Sequence, residues 1–326
     1  MNHFLRNLSP SEQVGLLFVF VFGVLLLISV VALVVSLKDP QEDDVQTQKI
    51  REFNSLLSTS WLMCTVFWVG WAAGETIATV LFGLVAFFAL REFITLSPTR
   101  QGDHRSLVLA FFVVLPMQFA LVITRHFDLV TVFIPVYVFL LLPLRMVIAG
   151  ETKGFLRAAG TIHWGLMTTV FSLSHLAYLL VLPAHAGAHG PVRGEMLVFY
   201  LLVLTQLNDV AQFLWGTWLG RHQVAPTVSP NKTVEGLLGG VATTTLLAWA
   251  LAPWFTPFSG LHAVLAGLLI GGCGFTGDVV ISAIKRDIGV KDSGSLLPGH
   301  GGILDRLDSL TYTAPLFFHF LYYFYY

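Results

Sequence analysis

Residues 14–37 read VGLLFVFVFGVLLLISVVALVVSL, a run without a single charge. A helix rises 1.5 Å per residue, so about twenty such residues cross a hydrocarbon core roughly 30 Å thick. The run lacks the two-residue alternation of a membrane barrel strand, and backbone groups in lipid must be satisfied within their own segment, so a helix is predicted. It is too long for a signal-peptide core and no A-x-A-like cleavage site follows, so a retained anchor is expected. Working outward, similar apolar stretches recur at 56–74, 76–96, 107–124, 127–148, 161–183, 196–219, 234–253, 261–284 and 309–326. The sequence therefore predicts an all-α polytopic membrane protein with about ten transmembrane helices.

Composition agrees. Of 326 residues, 55% are hydrophobic and 11% charged, with a mean hydropathy of +0.75, far from the roughly 25% charged residues of a soluble domain. Net charge is −1, which points to no nucleic-acid partner. Cys64 and Cys273 stand alone in apolar runs and read as packing residues, neither disulfide nor thiolate metal ligands. Fifteen of the eighteen Lys and Arg residues fall in alternate loops, and only Arg6, Arg125 and Arg193 fall in the others. By the positive-inside rule the charged loops of the C-terminal half face the cytoplasm, and with ten spans both termini face outward. A re-entrant 56–74 would flip the N-terminus. A bacterial inner or plasma membrane is expected. The chain divides by role into N-terminal membrane helices over 1–195 and a catalytic membrane region over 196–326.

Chemistry concentrates in the last third. Asp209, Asp278, Lys285, Arg286, Asp287, Lys291, Asp292, His300, Asp305, Arg306 and Asp308 lie in or beside the membrane. Ionisable groups there are costly unless paired, hydrated or metal-bound, so they mark a functional site. The stretch SAIKRDIGVKDSGSLLPGHGGILDRLD, 282–308, reads in three parts. A helix end carries Asp278, Ser282, Lys285 and Arg286, an acidic group within two turns of two phosphate-binding cations. A glycine-rich loop follows, with Gly289, Gly294, Gly299, Gly301 and Gly302, able to approach a phosphate closely. A new helix then sets Asp305 and Asp308 three residues apart, on one face, where two carboxylates address one divalent cation.

The run resembles the signature of the phosphatidate cytidylyltransferase (CDP-diacylglycerol synthase) family: S-x-[hydrophobic]-K-R, four residues, K-D, a small residue, then P-x-H-G-G-[hydrophobic]-x-D-R-[hydrophobic]-D. Ser282, Lys285, Arg286, Lys291, Asp292, Gly294, Pro298, His300, Gly301, Gly302, Asp305, Arg306 and Asp308 satisfy it. Residues 226–240, PTVSPNKTVEGLLGG, are similar to the family's S-P-x-K-T-x-E-G stretch through Ser229, Pro230, Lys232, Thr233, Glu235 and Gly236. Lys232, beside hydroxyls and before a helix start, suits a triphosphate. Asp209 matches the aspartate of the family's D-[ST]-[GA]-A-Y motif, with Gly216, Gly220 and Arg221 following. There the chain departs: it reads N-D-V-A-Q-F, with Val210 after the aspartate and Gln212-Phe213 in place of Ala-Tyr. Such a departure is expected of a divergent paralogue. The detailed resemblance covers about 205–326. Upstream, Arg91 and Glu92 read as a self-satisfied interfacial pair at a helix end.

The resemblance implies transfer of a cytidylyl group from CTP to phosphatidate, releasing pyrophosphate and leaving CDP-diacylglycerol in the bilayer. It implies Asp278, Lys285, Arg286, Lys291, Asp292, His300, Asp305 and Arg306 as catalytic. Arg221, Ser229, Lys232, Thr233, Ser282, Gly301 and Gly302 would bind substrate. Asp209, Asp278, Asp305 and Asp308 would hold one or two divalent cations, Mg2+ first, and a monovalent cation and a homodimer are compatible with the set. The rivals are a CTP-using transferase or kinase for another membrane lipid such as a polyprenol, a transporter of phosphorylated solutes, and a silent paralogue acting as a partner protein. A transporter would repeat its charges near mid-membrane in two halves, and this chain gathers them at one end of one half. His175, His185 and His189 gather near an outward loop, PAHAGAH at 183–189, with no acidic or cysteine partner, so a solvated loop is expected there rather than a zinc site.

Overall fold

The computed structural model describes residues 10–38, 53–54, 57–58, 60–62, 64–65, 68–70, 72–148, 150, 152–294 and 302–326. The chain forms two compact units, Met1–Ala73 and Gly74–Tyr326.

In the first unit the opening apolar run is a 29-residue helix, α1 (Pro10–Lys38). Ser29 Oγ turns back to the Leu25 carbonyl at 2.7 Å and accepts from Trp61 Nε1 at 3.0 Å, while the Trp61 ring stacks on Phe22. In lipid a helix gains nothing from hiding Leu against Leu, so a polar bond and a ring stack are what attach it to its neighbour.

The second unit carries α2 (Glu75–Leu96), α3 (Gln101–Ile123), α4 (Phe127–Ile148), α5 (155–180), α6 (Gly194–Leu219), α7 (Val234–Phe255), α8 (Gly260–Ile288) and α9 (Leu304–Tyr325). Among the described residues, six helices are long and apolar enough to cross a membrane: α2, α3, α4, α6, α7 and α8. The outer faces are apolar, with Phe112, Leu140, Ile148, Leu246 and Leu261 all more than 60% exposed, while Gln118, Ser174, His175, Asn208 and Thr244 are buried. That is the distribution expected of a surface solvated by lipid tails, and the chain is a multi-pass helical membrane protein. His175 is fully buried in α5, its Nδ1 on the Phe171 carbonyl, so the expectation that it belongs to a solvated loop is corrected; a 3.6-residue period continues through it from Ser172.

The all-α class holds among the described residues, with short strands only in the connections. These form two antiparallel hairpins: β1 (His185–Gly187) with β2 (Gly190–Val192), and β3 (Gln223–Ala225) with β4 (Ser229–Thr233). At the first hairpin's end of the bundle, Tyr325 Oη meets His262 Nδ1 at 2.6 Å and the Ser259 N–H at 3.0 Å, and Tyr326 Oη donates to the Pro183 carbonyl. The second hairpin lies at the opposite end, between α6 and α7, and positions the site.

Helices α6, α7, α8 and α9 pack in sequence order, each against the next. Small residues allow it: a Cβ on Gly267 of α8 would come within 2.6 Å of Thr245 Cα on α7, and one on Gly277 would strike the Asp308 carbonyl of α9. Asn208 fixes the register. Fully buried on α6, it accepts from Thr244 of α7 at 3.1 Å and donates to the Gly271 carbonyl of α8 at 3.3 Å. Because neighbouring helix positions are about 100° apart, turning Asn208 into this seam aims Asp209 toward α9. Asn208→Ala removes both interhelical bonds and strands Thr244, and is expected to lower stability by about 1 to 2 kcal/mol. Unfolding in mixed detergent micelles measures it; a variant as stable as the parent would remove the seam's role.

Candidate active site

The site is built where the C-terminal ends of α6 and α8, the N-terminal ends of α7 and α9 and the β3–β4 hairpin meet. The sequence explains the hairpin locally. Thr233, extended at φ −116°, caps α7 by accepting from the Gly236 N–H at 3.1 Å. Glu235 reaches back to accept from the Arg221 and His222 N–H groups at 3.0 and 3.2 Å and meets His222 Nδ1 at 2.6 Å. The chain is thereby pinned where α6 stops, and β4 carries Lys232 over the ends of the helices. Arg286 Nε donates to the Val228 carbonyl in the hairpin turn at 3.2 Å, so one of the cations expected to bind phosphate also holds the turn.

Lys232 Nζ forms an ion pair with Asp278 Oδ2 and sits 5.7 Å above the Phe275 ring. Both partners are about one fifth exposed. Ser282 Oγ donates to the other Asp278 oxygen at 3.4 Å. Asp209 accepts from Ser309 Oγ at 3.1 Å, and Asp308 lies within electrostatic reach of Asp278, Asp209 and Lys285. Burial disfavours the Lys232 charge, but the Asp278 and Asp209 carboxylates beside it hold its pKa above the ordinary lysine value. Three carboxylates thus gather around one ammonium.

The second pair is Lys285 Nζ with Asp305 Oδ1 at 2.7 Å, each partner less than 15% exposed. Asp305 Oδ2 accepts from the Ser293 and Gly302 N–H groups at 2.7 and 3.1 Å. The four aspartates expected to share cations therefore separate. Asp209, Asp278 and Asp308 surround Lys232, while both oxygens of Asp305 already have donors in Lys285 and the loop.

Of the remaining sequence candidates, Ser229 lies on β4 beside the Arg286-held turn, and Arg306 is half-buried in the first turn of α9. Arg221, Lys291 and Asp292 are exposed at the rim. Gly302 is buried within the loop's closing end; His300 and Gly301 lie outside the described residues. Three features were missed. Ser309 adjoins the signature, and as an uncharged serine it gives no sequence signal of its bond to Asp209. Gln212, a departure from the family motif, is 5% exposed with both amide atoms unpaired among the described residues. Glu92, expected to pair with Arg91, does not. Instead Arg91 is exposed, and Glu92, 4% exposed, accepts from the Leu304 N–H at 2.8 Å and from Ser293 Oγ at 3.3 Å. A carboxylate that finds two buried donors across the fold gains more than from a solvated neighbour on its own helix.

A family model described as the cytidylyltransferase family matches residues 54–324. The chain is 46% identical over 267 residues to uncharacterized protein YnbB of Escherichia coli (strain K12), covering 82% of this chain and 86% of that one. It is 49% identical over 115 residues, 35% of its length, to a phosphatidate cytidylyltransferase of Synechocystis sp., and 38% identical over 154 residues, 45% of its length, to one of Staphylococcus aureus (strain COL). Those two alignments span 39% and 59% of the relatives' own lengths. Over most of its length, then, and across the residues gathered around Lys232, the chain belongs to the cytidylyltransferase family and is a membrane-embedded nucleotidyltransferase.

Proposed function

We propose that this protein transfers a cytidylyl group from CTP to phosphatidate, giving CDP-diacylglycerol and pyrophosphate. The observation that carries the reading is the convergence of the 229–233 strand, the α8 end and the α9 start on two neighbouring polar groups, Lys232 among Asp209, Asp278 and Asp308, and Lys285 with Asp305. A phosphate oxygen of the lipid attacks the α-phosphorus of CTP, and the bond to the β-phosphate oxygen breaks. No protein nucleophile is needed. Catalysis is positioning and neutralisation of the crowded negative charge.

Lys232 and Lys285, each already oriented by a carboxylate, stand ready to exchange part of that pairing for phosphate oxygens. Arg306, Arg286, Lys291 and Arg221 add positive charge at the rim. Asp209, Asp278 and Asp308 outnumber Lys232, and such a set of hard oxygens suits a divalent cation; Mg2+ there would draw charge from the phosphates. Among the described residues no set of three or more ligands forms a ready cage. Mg2+ would be held by one or two of these carboxylates, with substrate phosphates completing the shell.

The reading includes ten membrane spans, a catalytic region over 196–326 and a site facing the cytoplasm, where CTP is supplied. The distribution of Lys and Arg among the loops supports that orientation. A different lipid phosphate as acceptor is the second reading. It is favoured by the unpaired, buried Gln212 amide at a position where the family motif carries alanine.

Purified protein in detergent, given labelled CTP, phosphatidate and Mg2+, is expected to make CDP-lipid; no product with phosphatidate or any other lipid phosphate would sink the reading. Lys232→Met is expected to lower kcat/KM at least about 1,000-fold, because it removes a phosphate-facing charge and leaves Asp278 unpaired. Loss of less than tenfold would argue against its role. Asp308→Asn should weaken activation by Mg2+, whereas exposed Asp287→Asn should titrate like the parent. Because the Lys232 pKa is raised on folding, its ion pair contributes fully below the ordinary lysine value of 10.5 and is lost only as pH rises through the higher folded value. On the lysine side, the stability difference between parent and Lys232→Met should therefore persist through the ordinary lysine range and close only in strong alkali; closing at about pH 8 to 9 would contradict the pairing.

A further inference from the structure

Helix α9 begins without a cap of its own. Its N-cap residue, Ile303, has no side chain able to accept a hydrogen bond, and the first backbone donors of a helix need partners when buried. Glu92, from the last turns of α2, supplies one in trans by accepting from the Leu304 N–H. The same oxygen accepts from Ser293 Oγ, at the other end of the glycine-rich segment. Asp305 holds the same two ends through the Ser293 and Gly302 N–H groups. Two carboxylates therefore clamp one loop, and the inner one carries Lys285.

The fit around Glu92 is close. A Cβ on Gly294 would lie 3.0 Å from Glu92 Oε1, with the next two nearest atoms also belonging to Glu92. A Cβ on Gly302 would lie 2.5 Å from Glu92 Oε2 and strike Ser293 Oγ. These two glycines leave the room that the carboxylate fills. We propose that Glu92 is a positioning residue of the transfer reaction: by clamping both ends of the 293–302 segment it fixes Asp305, and through Asp305 the Lys285 ammonium, against the reacting phosphates. It works through backbone it holds, without touching substrate. The inference rests on the transfer reading above.

Glu92→Ala loses two bonds to a carboxylate, each worth about tenfold or more, and kcat is expected to fall about 100-fold with KM for CTP within about threefold. Glu92→Gln keeps an acceptor oxygen for the Leu304 N–H and should recover about tenfold of that loss. Gly294→Ala should slow the parent several-fold yet cost nothing further in the Glu92→Ala background, since the atoms it meets are gone. A merely structural role would instead lower the folded fraction and leave kcat per folded molecule and the additivity of the two substitutions unchanged. A second readout is independent of catalysis. Ser293→Cys, in protein with Cys64→Ala and Cys273→Ala, should react slowly with a maleimide and at least about ten times faster when Glu92→Ala is added. Unchanged kcat, full additivity with Gly294→Ala, or an unchanged labelling rate would each overturn the clamp. Protein that turns over no lipid phosphate but shows the labelling change would sink the transfer reading and sustain the clamp as a loop-holding device.

Discussion

Three carboxylates share one ammonium at the end of this bundle, and the arrangement of α6 through α9 is what makes that tolerable. Asp209, Asp278 and Asp308 come from three different helices, and Lys232 reaches them from a strand that belongs to none of these. Like charges held together in a poorly solvated place repel strongly, so something rigid must keep them there. The Asn208 seam across α6, α7 and α8 and the contact of Gly277 with the Asp308 backbone supply that rigidity. That excess of carboxylate groups over ammonium is the arrangement that the proposed Mg2+ and phosphate chemistry would use.

The remainder of the molecule solves a different problem. Its outer face must be apolar to sit in lipid, and polar side chains such as Gln118, Ser174, His175, Asn208 and Thr244 are buried within the helices. One substrate of a lipid-modifying transferase arrives from water and the other is anchored by acyl chains, and the end of the bundle is where both can be reached. The C-terminal helices do not complete this end alone. Glu92 comes from α2, so a helix outside the signature region helps hold the signature loop.

Gln212 separates this chain from the family pattern by a buried amide with no partner among the described residues. An unpaired amide in a low-dielectric interior is costly, and such a group is retained where a ligand or water answers it. Its backbone carbonyl lies against Gly236, one turn from the Thr233 cap, which puts the departure beside the stretch that carries Lys232.

The sequence by itself determined the class of molecule and the identity of its chemistry. Uncharged apolar runs have one stable form in lipid, and residues as specifically spaced as Ser282, Lys285, Arg286, Asp305 and Asp308 leave little else they resemble. Local capping was also legible, because Thr233 and Glu235 act on neighbours in the chain. Only the tertiary structure decided which charges meet. That Lys232 pairs with Asp278 and Lys285 with Asp305, that Asp305 is spent on a loop while Asp308 joins the acidic cluster, and that Glu92 forsakes Arg91 for Leu304 depend on how helices distant in sequence are rotated and set in register. Side-chain periodicity gives the face of one helix; the partner it meets is fixed by close packing at glycines and by one buried asparagine, neither of which carries a charge to announce it.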